Sequence, residues 1–195
     1  MLTRLLQIYE SQVGTIPTLT PAGLRERIFA QLIDGVLLGI LSSAYYYLVS
    51  SGAIYSLWIS PMFPCYLLQP AEGFIPDPAD WWWGGYFITF VPPWLNILYL
   101  AIPSPMLILL YGSYYTFFHF YYGQTPGKMM KGLVVLNKNQ KKLTLKQSLQ
   151  HWIFYFLSLL PLGAGFWTVS RRAGAETWHD CLAGTAVWSF IRRQE

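Results

Sequence analysis

The sequence predicts an all-α integral membrane protein: two transmembrane helices, a third hydrophobic segment that is bent or re-entrant, and a small cytoplasmic β-element. Three observations carry this. Only 11% of the 195 residues are charged, against 54% hydrophobic and 18% aromatic, whereas soluble chains carry about 25% charged residues. Apolar runs at 28–49, 105–122 and 149–169 approach or reach the length of a bilayer crossing. Between Lys128 and Lys146 stand six lysines and no acid, which marks a loop kept on the cytoplasmic side.

Residues 1–20 read as a short lead-in. They hold no uninterrupted apolar core and no small-residue cleavage site, so a secretory signal is not expected. Thr20-Pro21 has the form of a helix start, an N-cap followed by proline at the first helical position. The first span then runs to Val49. It carries Asp34 well inside the apolar run and Arg27 at its mouth. Arg27, Gln31 and Asp34 are spaced i, i+4, i+7, which places them on one helical face. A carboxylate at that depth costs about 2.5–3.5 kcal/mol on insertion scales, so Asp34 should face protein or water. Gly35, Gly39 and Ser43 form a small-residue ridge suited to close helix approach. Tyr45, Tyr46 and Tyr47 suit an interfacial belt.

Residues 51–96 contain no Lys or Arg but have Glu72, Asp77 and Asp80, which assigns this aromatic loop to the non-cytoplasmic side. Its prolines argue against a regular span, and interfacial or re-entrant pieces are expected. Trp81-Trp82-Trp83 should sit at headgroup level. Ser104-Pro105 opens the second span, which ends in a further aromatic belt containing His119. The following GQTPGK is one residue too short for a phosphate loop and has Met129 where a magnesium-holding hydroxyl would stand. It reads as a tight turn, with Lys128 facing headgroup phosphates.

Gly132–Asn137 and Lys141–Thr144 flank a three-residue turn and suggest a hairpin. Thr144 and Gln147 have capping-box spacing. The third apolar run, 149–169, is broken by Pro161, Gly163 and Gly165. A bend returns Arg171 and Arg172 to the cytoplasm, as the charge rule favours. His151, at the head of that run, is expected at the interface. The strand-like TAVWSFI (Thr185–Ile191) needs a partner, and GLVVLN offers one.

The charge of +4 lies in one loop without base-stacking aromatics, so no nucleic-acid partner is implied. Cys65 and Cys181 fall on opposite sides of the membrane in this topology. No disulfide, metal-ligand spacing or cofactor is expected. His179-Asp180 beside Cys181 is weak ground for catalysis, because sequence neighbours seldom have the geometry of a nucleophile and its base. The chain is read as non-enzymatic.

Arg27 with Asp34, the GQTPGK loop before GLVVLN, and HDCLAGT near the end resemble, in that order, the RDD family of small membrane proteins. The resemblance covers a domain of residues 21–191, with the long middle loop as a departure. It implies that Arg27, Asp34 and Asp180 take the positions of the naming residues. It places Gly123, Thr125, Pro126, Gly127 and Lys128 in the loop motif, and Ala183, Gly184 and Thr185 in the C-terminal one. Some bacterial members are linked to cation/proton antiport, and a eukaryotic branch acts as a non-enzymatic quality-control partner.

Asp34, Arg27 and Asp180 are therefore the expected ion- or proton-handling residues, since a membrane carboxyl that alternates between protonated and ionised forms suits a coupled carrier. A structural Arg27–Asp180 clamp is the simpler alternative for that pair. The expected partners are the lipid bilayer and either a second copy or another membrane protein. The expected setting is a bacterial inner or plasma membrane with both termini cytoplasmic. An adaptor or assembly role is the alternative to transport.

Overall fold

The computed structural model describes residues 18–52, 66–68, 87–88, 99–101, 105–159, 165, 168 and 176–191. The chain divides into two compact units, residues 1–31 with 114–195, and residues 32–113. Both boundaries fall inside helices.

Helix α1 (Leu24–Val49) extends for 26 residues. Ala30, Asp34, Leu38, Ser42 and Tyr46 recur every four residues and are buried. Ile28, Leu32, Val36 and Ile40 follow the same rhythm on another face and are 43–50% exposed. One side is thus packed, and the other is apolar without cover, as a lipid-facing helix would be. Gly35 and Gly39 of the small-residue ridge are buried, while Ser43 is half-buried. Among the described residues, α1 is the helix long and apolar enough to cross a membrane. Helix α2 (Pro105–Tyr122) has 18 residues, about 27 Å at 1.5 Å each, but with its tyrosines, serine and histidine it does not meet the same standard. The expectation of two spans therefore rests firmly on one helix.

In the unit formed by 32–113, the Ser42 and Tyr111 hydroxyls lie 3.4 Å apart. Tyr46 is buried while Tyr47 is 55% exposed, so the tyrosine run is not a uniform belt. Three short strands, β2 (Tyr66–Leu68), β3 (Phe87–Ile88) and β4 (Tyr99–Ala101), make an antiparallel sheet in the order β2-β4-β3. One small β-element is expected from the sequence; the described residues hold this sheet in addition, so the chain is mostly helical but not all-α apart from that element. The triple tryptophan, Cys65 and the basic pair at 171–172 lie outside the described residues.

In the other unit, β1 (Thr18–Pro21), β5 (Leu133–Asn137) and β6 (Thr185–Ile191) form an antiparallel sheet in the order β1-β6-β5. Val135 pairs with Val187 and Thr20 with Ser189. The expected pairing of TAVWSFI with GLVVLN is present. The expected helix start at Thr20-Pro21 is not: these residues are strand, and the helix begins at Leu24. Pro21 ends an edge strand, where its missing N–H removes no bond from the sheet interior, and Ala22 N–H continues the ladder to Val187 O at 3.0 Å. The expected hairpin is also corrected. Asn137 Oδ1 accepts from the N–H groups of Asn139 and Lys141 and builds the turn, but 141–144 is not a strand. Leu143 turns inward instead, into an apolar core with Ala22, Ala30, Leu133, Val135 and Val187.

Helix α3 (Pro126–Met130) is capped by Thr125. Helix α4 (Leu145–Leu159) starts with the expected box, Gln147 N–H to Thr144 Oγ1 and Thr144 N–H to Gln147 Oε1, both 3.2 Å. It ends at Leu159, two residues before Pro161. A Cβ placed on Gly165 would lie 2.6 Å from Ser158 Cα, so this glycine is pressed on the helix it has just left. Helix α5 (Trp178–Ala183) follows.

Candidate functional site

The site is organised by the carboxylate of Asp180. This residue is N3 of α5 and closes a capping box with Thr177. Thr177 N–H donates to Oδ2 at 3.2 Å, and Asp180 N–H donates to Thr177 Oγ1 at 3.3 Å. Arg27 Nη1 from α1 donates to the same Oδ2 at 2.6 Å. Its guanidinium is held in turn by Ala22 O at 3.2 Å and Val187 O at 3.5 Å. Oδ2 is therefore saturated by charge-assisted bonds. Oδ1 points elsewhere, with Thr185 Oγ1 at 3.4 Å, His151 Nδ1 at 3.6 Å and His179 Nε2 at 3.8 Å.

The imidazoles come from different elements. His151, Tyr155 and Ser158 lie on one face of α4 at i, i+4, i+7. His151 Nδ1 meets Thr185 Oγ1 at 2.8 Å and its Nε2 meets Tyr155 OH at 3.0 Å. His179 Nδ1 meets Ser158 Oγ at 3.0 Å and its Nε2 meets Thr177 Oγ1 at 2.9 Å. Beyond Tyr155, Lys128 Nζ lies 3.4 Å from that hydroxyl and 3.0 Å from His119 Nε2. His119, His151, Asp180 and Thr185 are wholly buried, and His179 and Lys128 nearly so. The expectation that Lys128 faces headgroups is corrected, because α3 turns it inward to His119 and Tyr155; His151 is buried within the protein, against Thr185 and Tyr155.

Burial pushes the His179 imidazole down to about 3, against the attraction of the Asp180 carboxylate. For Asp180 burial alone acts upward, but His179, Arg27, His151 and the Arg27 hydrogen bond together hold the carboxyl well below its ordinary range. With His179 neutral at pH 7, Arg27 is the cation that keeps Asp180 ionised. One donor atom from each of His151, His179 and Asp180 lies within 4.8 Å of the others. Two neutral imidazoles and one carboxylate oxygen so grouped can receive a cation.

The structure brings Arg27 and Asp180 together, 153 positions apart in the chain. Asp34 is 1% exposed and belongs to the other unit. Gln31, next on its stripe, donates instead to Tyr115 OH at 2.6 Å. The motif residues have local reasons. Gly123 adopts φ 70°, a left-handed turn that favours glycine, and its carbonyl accepts from Val135 N–H at 2.7 Å. Thr125 and Pro126 start α3, Gly127 is buried, and Lys128 reaches His119. Ala183 is buried, Gly184 ends α5 at φ 65°, and Thr185 bonds His151. Sequence reasoning missed His119, His151, His179 and Tyr155 as a group. The α4 spacing and the adjacency of His179 to Asp180 were the available signals.

The sequence profile of the RDD family matches residues 21–184. No curated protein and no solved structure matches the chain. The chain belongs to the RDD family, whose members are generally membrane proteins.

Proposed function

We propose that this RDD-family chain is a non-enzymatic membrane protein that moves a cation or proton, with the ion handled at the Asp180 centre. The supporting observation is the division of labour in that carboxylate. Arg27 and Thr177 hold Oδ2, while Oδ1 is turned to two imidazole nitrogens in a desolvated pocket. A buried anionic oxygen beside neutral nitrogen donors is a place where a cation can replace hydration. Asp34, buried on α1, supplies a second carboxyl at lipid depth, where acids commonly mark ion pathways.

In this reading α2 is the second span, both ends of the chain lie on the lysine-bearing side, and the host is a bacterial inner or plasma membrane. So few spans enclose little, so a second copy or another membrane protein completes the path. An adaptor role is the second reading, supported by Trp178 and Leu182, 38% and 55% exposed on the outer side of α5.

Reconstitution into vesicles tests the proposal. Wild-type protein should dissipate an imposed pH or cation gradient, and Asp180→Asn and Asp34→Asn should each abolish flux while the protein still assembles. Absence of flux in the wild type overturns transport in favour of the adaptor.

A further inference from the structure

The geometry points to a binding site for a borderline divalent transition-metal ion, of the Zn²⁺ or Co²⁺ kind, held by His151 Nδ1, His179 Nε2 and Asp180 Oδ1. This rests on the same centre as the transport reading and names the class of ion it would take.

Spacing is the first ground. Metal–nitrogen and metal–oxygen bonds of about 2.0–2.2 Å in a tetrahedral site put neighbouring donors about 3.4 Å apart. Asp180 Oδ1 lies 3.6 Å from one imidazole nitrogen and 3.8 Å from the other. All three donors lie within 4.8 Å of one another. Closing the set around an ion therefore shortens the widest of these separations by at most about 1.4 Å, within reach of ring rotations.

The far side of each ring is the second ground. A histidine that ligates metal almost always gives its other N–H to a fixed partner, which sets the tautomer and the ring plane. His179 Nδ1 has Ser158 Oγ at 3.0 Å, and His151 Nε2 has Tyr155 OH at 3.0 Å. Ser158 and Tyr155 thus offer each ring a partner for the N–H it keeps when its other nitrogen takes the ion, and Thr177 Oγ1 lies 2.9 Å from His179 Nε2. The carboxylate has its outer partner as well, since Arg27 grips the oxygen that faces away from the rings.

The donor set also selects among ions. Mg²⁺ and Ca²⁺ want many hard oxygens and high negative charge. Here one carboxylate is already shared with Arg27, and the remaining donors are neutral imidazoles, which suit Zn, Co, Ni and Cu. Thr185 Oγ1, 2.8 Å from His151 Nδ1 and 3.4 Å from Asp180 Oδ1, offers an oxygen beside the fourth position. The positive charges of Arg27 and Lys128 oppose the ion, so moderate rather than very tight affinity is expected.

The test is metal binding by chelator-stripped, detergent-purified full-length protein. Co²⁺ alone should give the visible bands of a low-symmetry site at one equivalent per chain, and Zn²⁺ alone should bleach them. Mg²⁺ in excess should not. Asp180→Asn and His179→Gln should abolish the bands. Tyr155→Phe, which keeps the ring and removes the partner of His151, should weaken Co²⁺ binding by about 10–100-fold, with Lys138→Ala as the surface control.

Where a ligand variant fails to fold, Tyr155→Phe and the Zn²⁺-induced rise in wild-type melting temperature decide. Folded wild-type protein that takes up no Co²⁺, or binding unchanged in Tyr155→Phe, overturns the inference. Binding without any flux in vesicles overturns transport and leaves the metal site standing. Monovalent cation or proton flux without metal binding does the reverse.

Discussion

Two interiors lie side by side in the unit formed by residues 1–31 and 114–195, and they are built on opposite rules. The first is apolar: Ala22, Ala30, Leu133, Val135, Leu143 and Val187 fill the space under the sheet. The second is polar: His119, Lys128, His151, His179, Asp180 and Thr185 are buried about as completely. Dispersion and water exclusion hold the first, and any side chain of suitable shape serves. Directional bonds hold the second, where each group relies on a particular partner and the loss of one leaves another unsatisfied. A core of the second kind is an expensive way to gain stability, which is why its presence argues for a task.

The largest test of that contrast removes the carboxylate. Asp180→Ala takes an acceptor from Arg27 and from the Thr177 N–H at once. Unpairing a buried charge typically costs about 3–5 kcal/mol, so chemical denaturation in detergent should show a loss of that order. Arg27→Ala should cost a comparable amount, and the double variant clearly less than the sum. Additive losses would show that the pair does not act as one unit.

Leu133→Ala probes the other interior and should cost about 2–5 kcal/mol through the cavity it leaves. The sharper comparison uses shape-preserving changes. Leu133→Ile should cost less than about 1.5 kcal/mol. Asp180→Asn keeps the shape but removes the charge that Arg27 faces, and should cost more. Equal tolerance in the two places would erase the distinction between them.

These interiors were not equally legible in the sequence. GLVVLN and TAVWSFI announced strands that pair, because short β-branched, apolar runs bounded by turn residues are too brief for helices and need a neighbour's backbone. The Arg27–Asp180 contact also followed once the third apolar run was read as bent. Two features escaped. The strand at Thr18–Pro21 was hidden because Thr-Pro is also a helix-start signal, and tertiary pairing with β6 decided between the two. The histidine centre was hidden because its three imidazoles come singly from α2, α4 and α5, and the α4 spacing and the His179–Asp180 adjacency each mark only a part of it. His119 and His151 each looked like interfacial residues until the elements that bury them were in place.

Acid should separate the interiors further. With chelator present, His179 in the folded chain is held down to about 3, so below its ordinary value near 6.5 the unfolded chain takes up a proton that the folded one refuses. Stability contributed by the neutral ring is complete above about 6.5 and drains away as pH falls toward 3. Asp180, also depressed, adds a loss that begins near its ordinary value of 3.8 and continues to lower pH. The groups around them are Arg27 from α1, His119 from α2, Lys128 from α3, and His151 and Tyr155 from α4. Unfolding midpoints measured across that range should show a slope that Leu133→Ala leaves unchanged and His179→Gln reduces. An unchanged slope in His179→Gln would remove His179 as its source.

The smallest effect compares one motif in two settings. Thr144 and Thr177 are both N-cap residues of capping boxes, with Gln147 and Asp180 as the third residue inward. The Thr144 box is exposed, so water replaces whatever is lost, and Thr144→Ala should cost about 0.5–1 kcal/mol. The Thr177 hydroxyl is buried and shared: it accepts from Asp180 N–H and lies 2.9 Å from His179 Nε2. Thr177→Ala thus strands a buried backbone donor and a buried imidazole nitrogen. Its cost should approach the upper end of capping effects, about 2 kcal/mol. Thermal unfolding of the two single variants reads the difference directly. If Thr177→Ala proves as mild as Thr144→Ala, the bonds around His179 are dispensable, and the orientation of the ring toward Asp180 Oδ1 loses its support.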